Sequence, residues 1–152
     1  MDLNNVDDNL LKEEYIRRFY AKPGEQLHSA PASAEHLRTV FSTVPKDQEH
    51  FAVIFLNQQN QIICSNILFT GTLTTAAVYP RELVKQVIRY EAASVIIGHT
   101  HPSGGIEPSS SDRAVTKKIK NALISIDVEL LDHLILGNGS DGFCSFAERN
   151  LL

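Results

Sequence analysis

The feature that most constrains the fold is a short apolar run, residues 94–98, set between two helical patterns. Ahead of it, Leu83, Val84, Val87, Ile88 and Ala92 recur at the spacing of an amphipathic helix, opened by Tyr79 and Pro80. Behind it, Ala114, Val115, Ile119, Ala122 and Leu123 repeat that spacing over 111–125. An apolar stretch too short for a helix, with helices on either side, reads as a central strand buried on both faces. A chain organised around such a strand is an α/β protein with helices packed against a sheet.

The rest of the chain fits that frame. Residues 49–56, rich in Phe, Val and Ile, read as a strand; 57–60 form a polar turn and 61–70 complete a hairpin. Residues 128–136 and 143–146 read as two more strands, separated by a Gly/Asn/Ser/Asp turn. Near the N-terminus, Leu10, Leu11, Tyr15, Ile16 and Phe19 predict a short amphipathic helix, ended by Ala21-Lys22-Pro23-Gly24. A linker over 28–32 follows. Ser33 is then expected to cap a helix that carries Leu37, Val40 and Phe41 and stops before Pro45. The expected organisation is a helical appendage and linker over 1–32 and one domain over 33–152, a mixed β-sheet flanked by helices.

Composition narrows the functional classes. A chain of 152 residues suits one domain. A net charge of -4 gives no general electrostatic basis for wrapping nucleic acid, which needs clustered cations. Arg113, Lys117, Lys118 and Lys120 make one helix basic, and a solvated face is the expected role. Cys64 and Cys144 form no CxxC pair and are expected to be buried, reduced thiols. The N-terminus is acidic without an apolar signal region, and the longest apolar runs are about six residues, against roughly 20 for a bilayer span. A cytoplasmic protein with no membrane partner is expected.

Chemistry concentrates in 99–112. His99 and His101, two apart on extended chain, project from one face. They lie at the end of the central strand, where open α/β sheets place ligands. Pro102 stops the strand, and Gly104 and Gly105 let the chain turn back. Asp112 falls in the first turn of the next helix, where the helix dipole favours a carboxylate. Two imidazoles and a carboxylate can therefore converge. Three protein ligands with one open position is the pattern of a catalytic zinc. Glu49, taken alone, reads as a solvated residue at a strand start. Ser109, Ser110 and Ser111 compete to cap the helix. His133 is expected to share a strand face with Leu131 and Ile135 as a hydrogen-bonded structural histidine. His50 points away from Glu49 and is not a ligand candidate.

The order His99-x-His101-Pro102, six residues, Ser109, two residues, Asp112 resembles the JAMM (MPN+, JAB) zinc metalloprotease signature, and Glu49 matches its upstream Glu. Phe69-Thr70-Gly71-Thr72, Tyr79-Pro80-Arg81-Glu82 and Asp132-His133-Leu134-Ile135-Leu136-Gly137 resemble the bacterial RadC-like branch, in a short form without a helix-hairpin-helix domain. The likeness runs from about residue 34 to the C-terminus. It implies a cytidine-deaminase-like JAB/MPN fold and one Zn2+ held by His99, His101 and Asp112. It implies Glu49 as the general base that takes a proton from a zinc-activated water and passes it to the leaving amine. It also implies Ser109 as a hydrogen-bond donor to the developing oxyanion. The substrate class is a peptide or isopeptide bond in a peptide or protein that the sequence does not identify. Two rivals stand beside this reading. One is a non-catalytic zinc-binding or interaction module of the MPN fold, against which the full signature weighs. The other is a DNA-repair-associated protein, to which the acidic balance lends little support. A zinc deaminase is excluded, because its H-x-E and P-C-x-x-C elements are missing.

Overall fold

The computed structural model describes residues 7, 8, 10, 11 and 24–152. The expected N-terminal helix lies for the most part outside the described residues. The elements run α1 (Ala30–Phe41), β1 (His50–Leu56), β2 (Ile62–Thr70), α2 (Pro80–Tyr90), β3 (Ser94–His101), α3 (Ser110–Ile124), β4 (Glu129–Gly137) and β5 (Phe143–Ser145). The strands form one five-stranded sheet in the order β2-β1-β3-β4-β5. β3 and β4 pair in parallel across the α3 crossover, while the other neighbours are antiparallel. This is the mixed α/β sheet that the pattern predicts.

Strand alternation divides the core into two layers. Phe51, Val53 and Phe55 of β1 and Val95 and Ile97 of β3 face one side, where Leu83 and Val87 of α2 and Val115, Ile119 and Leu123 of α3 cover them. Ala52, Ile54, Leu56 and Ile96 face the other side and meet Leu37 and Val40 of α1. β1 is buried along its whole length because helices cover both its faces. Leu37 of α1 packs directly over Gly98 of β3. A Cβ there would lie 2.4 Å from Leu37 Cδ1, so any larger residue would have to displace the Leu37 side chain.

Four local expectations are corrected. First, α1 starts before Ser33. Ser29 is the cap: its Oγ accepts the Ala32 N–H at 3.2 Å, and Pro31 occupies the first turn, where a missing N–H is harmless. Ser33 is instead a buried helical residue whose hydroxyl donates to the Ser29 carbonyl at 3.0 Å. Second, Ile88 of α2 is 64% exposed, because the inward stripe is Leu83 and Val87 and the next position is rotated by about 100°. Third, Ala114 is exposed for the same reason, and the inward stripe of α3 is Asp112, Val115, Thr116, Ile119 and Leu123. Fourth, Val95 pairs with Leu130 and Ile96 with Asp132, which leaves Leu131 as an extra residue in β4. That bulge turns Leu131 towards the α1 layer, so it does not share a face with His133.

Candidate metal centre

β3 extends past Gly98 through both histidines, because Thr100 and His101 remain paired with Leu136 and Gly137 of β4. His99 and His101 share their face with Val95 and Ile97, under α2 and α3, at the end of the strand where that layer opens. The chain then folds back over β4: the His101 carbonyl accepts the Gly104 and Asn138 amides. Gly104 adopts φ +86, and a Cβ on Gly137 would lie 2.3 Å from the Gly104 carbonyl oxygen. This tight return brings Ser109 to the N-cap of α3 and Asp112 to its first turn.

The cap and the carboxylate form one unit. Ser109 Oγ accepts the Asp112 N–H at 3.0 Å, and Asp112 Oδ2 accepts the Ser109 N–H at 2.8 Å, a reciprocal capping box. Among the three competing serines, Ser109 is therefore the cap. The buried Asp112 carboxylate lies 3.2 Å from His99 Nε2 through Oδ1 and 3.2 Å from His101 Nε2 through Oδ2. The two Nε2 atoms are 2.9 Å apart. Ligand atoms from His99, His101 and Asp112 all lie within 4.8 Å of one another, and no other such His/Cys/Asp/Glu cluster occurs among the described residues.

Charge follows from this packing. Burial pushes the Asp112 carboxyl up, but hydrogen bonding to His101, His99 and the Ser109 amide outweighs it and holds the group well below the carboxylate range. The hydrogen bond to Asp112 raises His101 above the ordinary histidine value, against the lowering by burial. The negative charge of Glu49 adds to that rise, so the Glu49 carboxylate acts on the same centre. Glu49 Oε2 accepts the Leu73 N–H at 2.6 Å, which ties it to the loop after β2. Lys118 of α3 anchors that loop, donating to the Thr75 and Val78 carbonyls at 2.6 and 3.1 Å. One cation of the basic helix is thereby committed to structure.

His133 is wholly buried against this cluster. Its Nε2 lies 2.7 Å from His99 Nδ1, and its Nδ1 lies 2.5 Å from Thr116 Oγ1. Burial first, and the neighbouring His99 next, hold it well below the ordinary histidine value. The hydrogen-bonded histidine expected from sequence is thus found one layer behind His99. Thr116 was legible only as Asp112 plus four, the next position on the same helix face. The Leu73 amide carries no sequence signal. His50 faces elsewhere, on Thr70 Oγ1 and the Pro45 carbonyl. Cys64 and Cys144 are buried and form no disulfide.

The donor set can be tested for a cation. His101 Nδ1 is turned to the Gly105 carbonyl at 2.9 Å, so its Nε2 is the nitrogen that faces the centre. His99 likewise has Nδ1 engaged behind it and Nε2 in front. Two imidazole lone pairs at this separation repel unless a proton or a cation lies between them. Two imidazole nitrogens and one carboxylate are a donor set that suits zinc, and three protein ligands leave the fourth position of a tetrahedral ion for water or substrate.

Residues 27–151 match the family described as the RadC-like JAB domain. A UPF0758 protein of Marinomonas sp. (strain MWYL1) is 50% identical over 123 residues, covering 80% of this chain and 54% of the relative. A UPF0758 protein of Vibrio vulnificus (strain YJ016) is 42% identical over 138 residues, covering 90% of this chain and 60% of the relative. The chain thus spans little more than half the length of these curated relatives. No helix among the described residues is long and apolar enough to cross a membrane.

Proposed function

The chain belongs to the RadC-like JAB domain family, and from that membership we propose that it is a zinc-dependent hydrolase of peptide or isopeptide bonds. The observation that carries the reading is the convergence of His99 Nε2, His101 Nε2 and the Asp112 carboxylate on one point, at the end of the sheet where β1 begins just after Glu49 and pairs Phe51 with His99. These three residues would hold the metal, which supplies Lewis-acid activation of water or of a carbonyl oxygen. Glu49 is fixed through Oε2 by the Leu73 amide, which leaves Oε1 to take a proton from the attacking water and deliver it to the leaving amine. Ser109 is exposed, and its oxygen already accepts the Asp112 N–H, so the hydroxyl proton is available to a developing oxyanion. The substrate is a peptide or protein that reaches the open end of β3.

Elemental analysis of protein purified without chelators tests this reading. About one zinc per chain is expected, lost in His101→Ala. Glu49→Ala should keep the zinc and lose roughly 10²–10⁴-fold in hydrolysis of peptide and isopeptide substrates. A wild-type chain without zinc, even after zinc is added back, would favour a non-catalytic interaction module.

A further inference from the structure

We propose that His133 and Thr116 are positioning residues that fix which nitrogen of His99 faces the metal centre; this rests on the zinc reading above. The chain of contacts has a direction. The Asp112 carbonyl can only accept, and Thr116 Oγ1 lies 2.7 Å from it, so the single hydroxyl proton of Thr116 is donated there. Thr116 Oγ1 is then an acceptor for His133 Nδ1–H at 2.5 Å. His133 is sealed from water and has no carboxylate at either nitrogen, so it carries one proton, and its Nε2 is an acceptor. It takes the Nδ1–H of His99 at 2.7 Å. His99 Nε2, directed at Asp112 Oδ1 and His101 Nε2, is thereby the nitrogen left to give its lone pair once a cation replaces the proton there.

The circuit closes on itself. It begins at the main-chain carbonyl of one candidate ligand, Asp112, and ends at the ring of another, His99. A turn of α3 and a strand of the sheet are thus held in one register. Packing supports the same orientation, since the Phe146 ring stacks on His133 at 4.5 Å and 26°. A hydrogen bond behind a ligating imidazole is the general means of setting its tautomer and its basicity.

Zinc affinity by chelator competition tests the relay in the wild type, His133→Leu, His133→Gln and Thr116→Val. His133→Leu keeps an apolar filling but offers no acceptor, and should weaken binding by roughly 10–100-fold. His133→Gln should recover most of that loss, because the amide oxygen can accept from His99 and the amide N–H can donate to Thr116. A structural filler would show the opposite order, with Leu better tolerated than Gln. Thr116→Val preserves shape and should weaken binding in the same direction, which keeps the test decisive if His133→Leu fails to fold. Imidazole 15N spectra of the zinc-loaded wild type should show His99 and His133 both protonated at Nδ1. Unchanged affinity in His133→Leu and Thr116→Val, or a proton on His133 Nε2, would overturn the relay. A wild type that binds no zinc would overturn the metal reading first, before any variant is compared, and the relay with it.

Discussion

Asp112 and Asp132 are both buried carboxylates, 3% and 7% exposed, yet their surroundings differ in what they leave undone. Asp132 is met by donors alone. Its Oδ1 accepts the His133 and Ala147 amides at 2.7 and 3.0 Å, and its Oδ2 accepts the Ser145 hydroxyl at 2.5 Å. Ser145 Oγ in turn accepts the Glu148 amide at 3.1 Å. That region ties β4 to the C-terminal turn, and its polar atoms are matched internally. Asp112 is met by one amide and by two imidazole nitrogens that also face each other. A buried anion closed by N–H and O–H groups is architecture. A buried anion facing imidazole nitrogens, each able to hold either a proton or a metal, is a place for a cation.

The sharpest way to break this contrast is to remove each carboxylate in turn. Asp112→Ala should take zinc content from about one per chain to near none, with only about 1 kcal/mol of stability lost through the capping box. Retention of zinc in that variant, read by elemental analysis, would erase the distinction between the two sites. Asp132→Ala should do the reverse. Zinc stays, and the unfolding free energy in urea falls by about 1–3 kcal/mol, because buried amides lose their acceptor. Zinc loss there would mean that the two regions are one unit.

A smaller effect is expected at the junction of cap and site. Ser109→Ala should cost about 1 kcal/mol and Ser109→Gly only a few tenths, since glycine is tolerated at an N-cap. Equal costs in the two variants would show that the hydroxyl does something other than cap.

The gentlest probe is pH, applied to metal-free protein. His133 is held below its unfolded value of 6.5, so stability falls as pH drops below about 6.5 and the unfolded chain takes the proton. His101 is held above 6.5, so its contribution is complete below that value and is lost as pH rises through its folded value. Asp112 is held below its unfolded value of 3.8; its contribution is complete above that and is lost at lower pH. Thermal melts should therefore show a stability maximum near neutrality and a steep further loss below about pH 4. The two histidine effects act on opposite sides of pH 6.5 and cannot cancel, so a melt independent of pH between 5 and 8 would contradict both, and a His133→Gln melt should lose only the slope below 6.5.

Much of this was legible in the chain. The run at 94–98 read as a central strand and 49–56 as a hairpin strand, because periodicity and β-branched or aromatic content are local signals, and β1 and β3 do lie side by side, buried along nearly their whole length. His99, His101 and Asp112 could be placed together because extended-strand periodicity, a glycine turn and the start of a helix are all local properties. Where expectation failed, a non-local contact decided. Both Ser29 and Ser33 can cap a helix, and the choice followed from where α1 rests on the sheet. The face of Leu131 depended on a bulge, which is a property of two strands and not of one. The exposure of Ile88 depended on which side of α2 meets β1 and β3, and a helix alone does not record its neighbour.

The sequence by itself determined the elements, the mixed α/β class and three candidate ligands, because short-range sterics, periodicity and turn chemistry are written residue by residue. Tertiary structure decided the rest: that Ser109 and Asp112 share a capping box, that the Leu73 amide holds Glu49, and that His133 and Thr116 stand behind His99. Those are contacts between segments 3 to 34 residues apart. Their existence depends on how two layers of helices register on one twisted sheet, which no window along the chain contains.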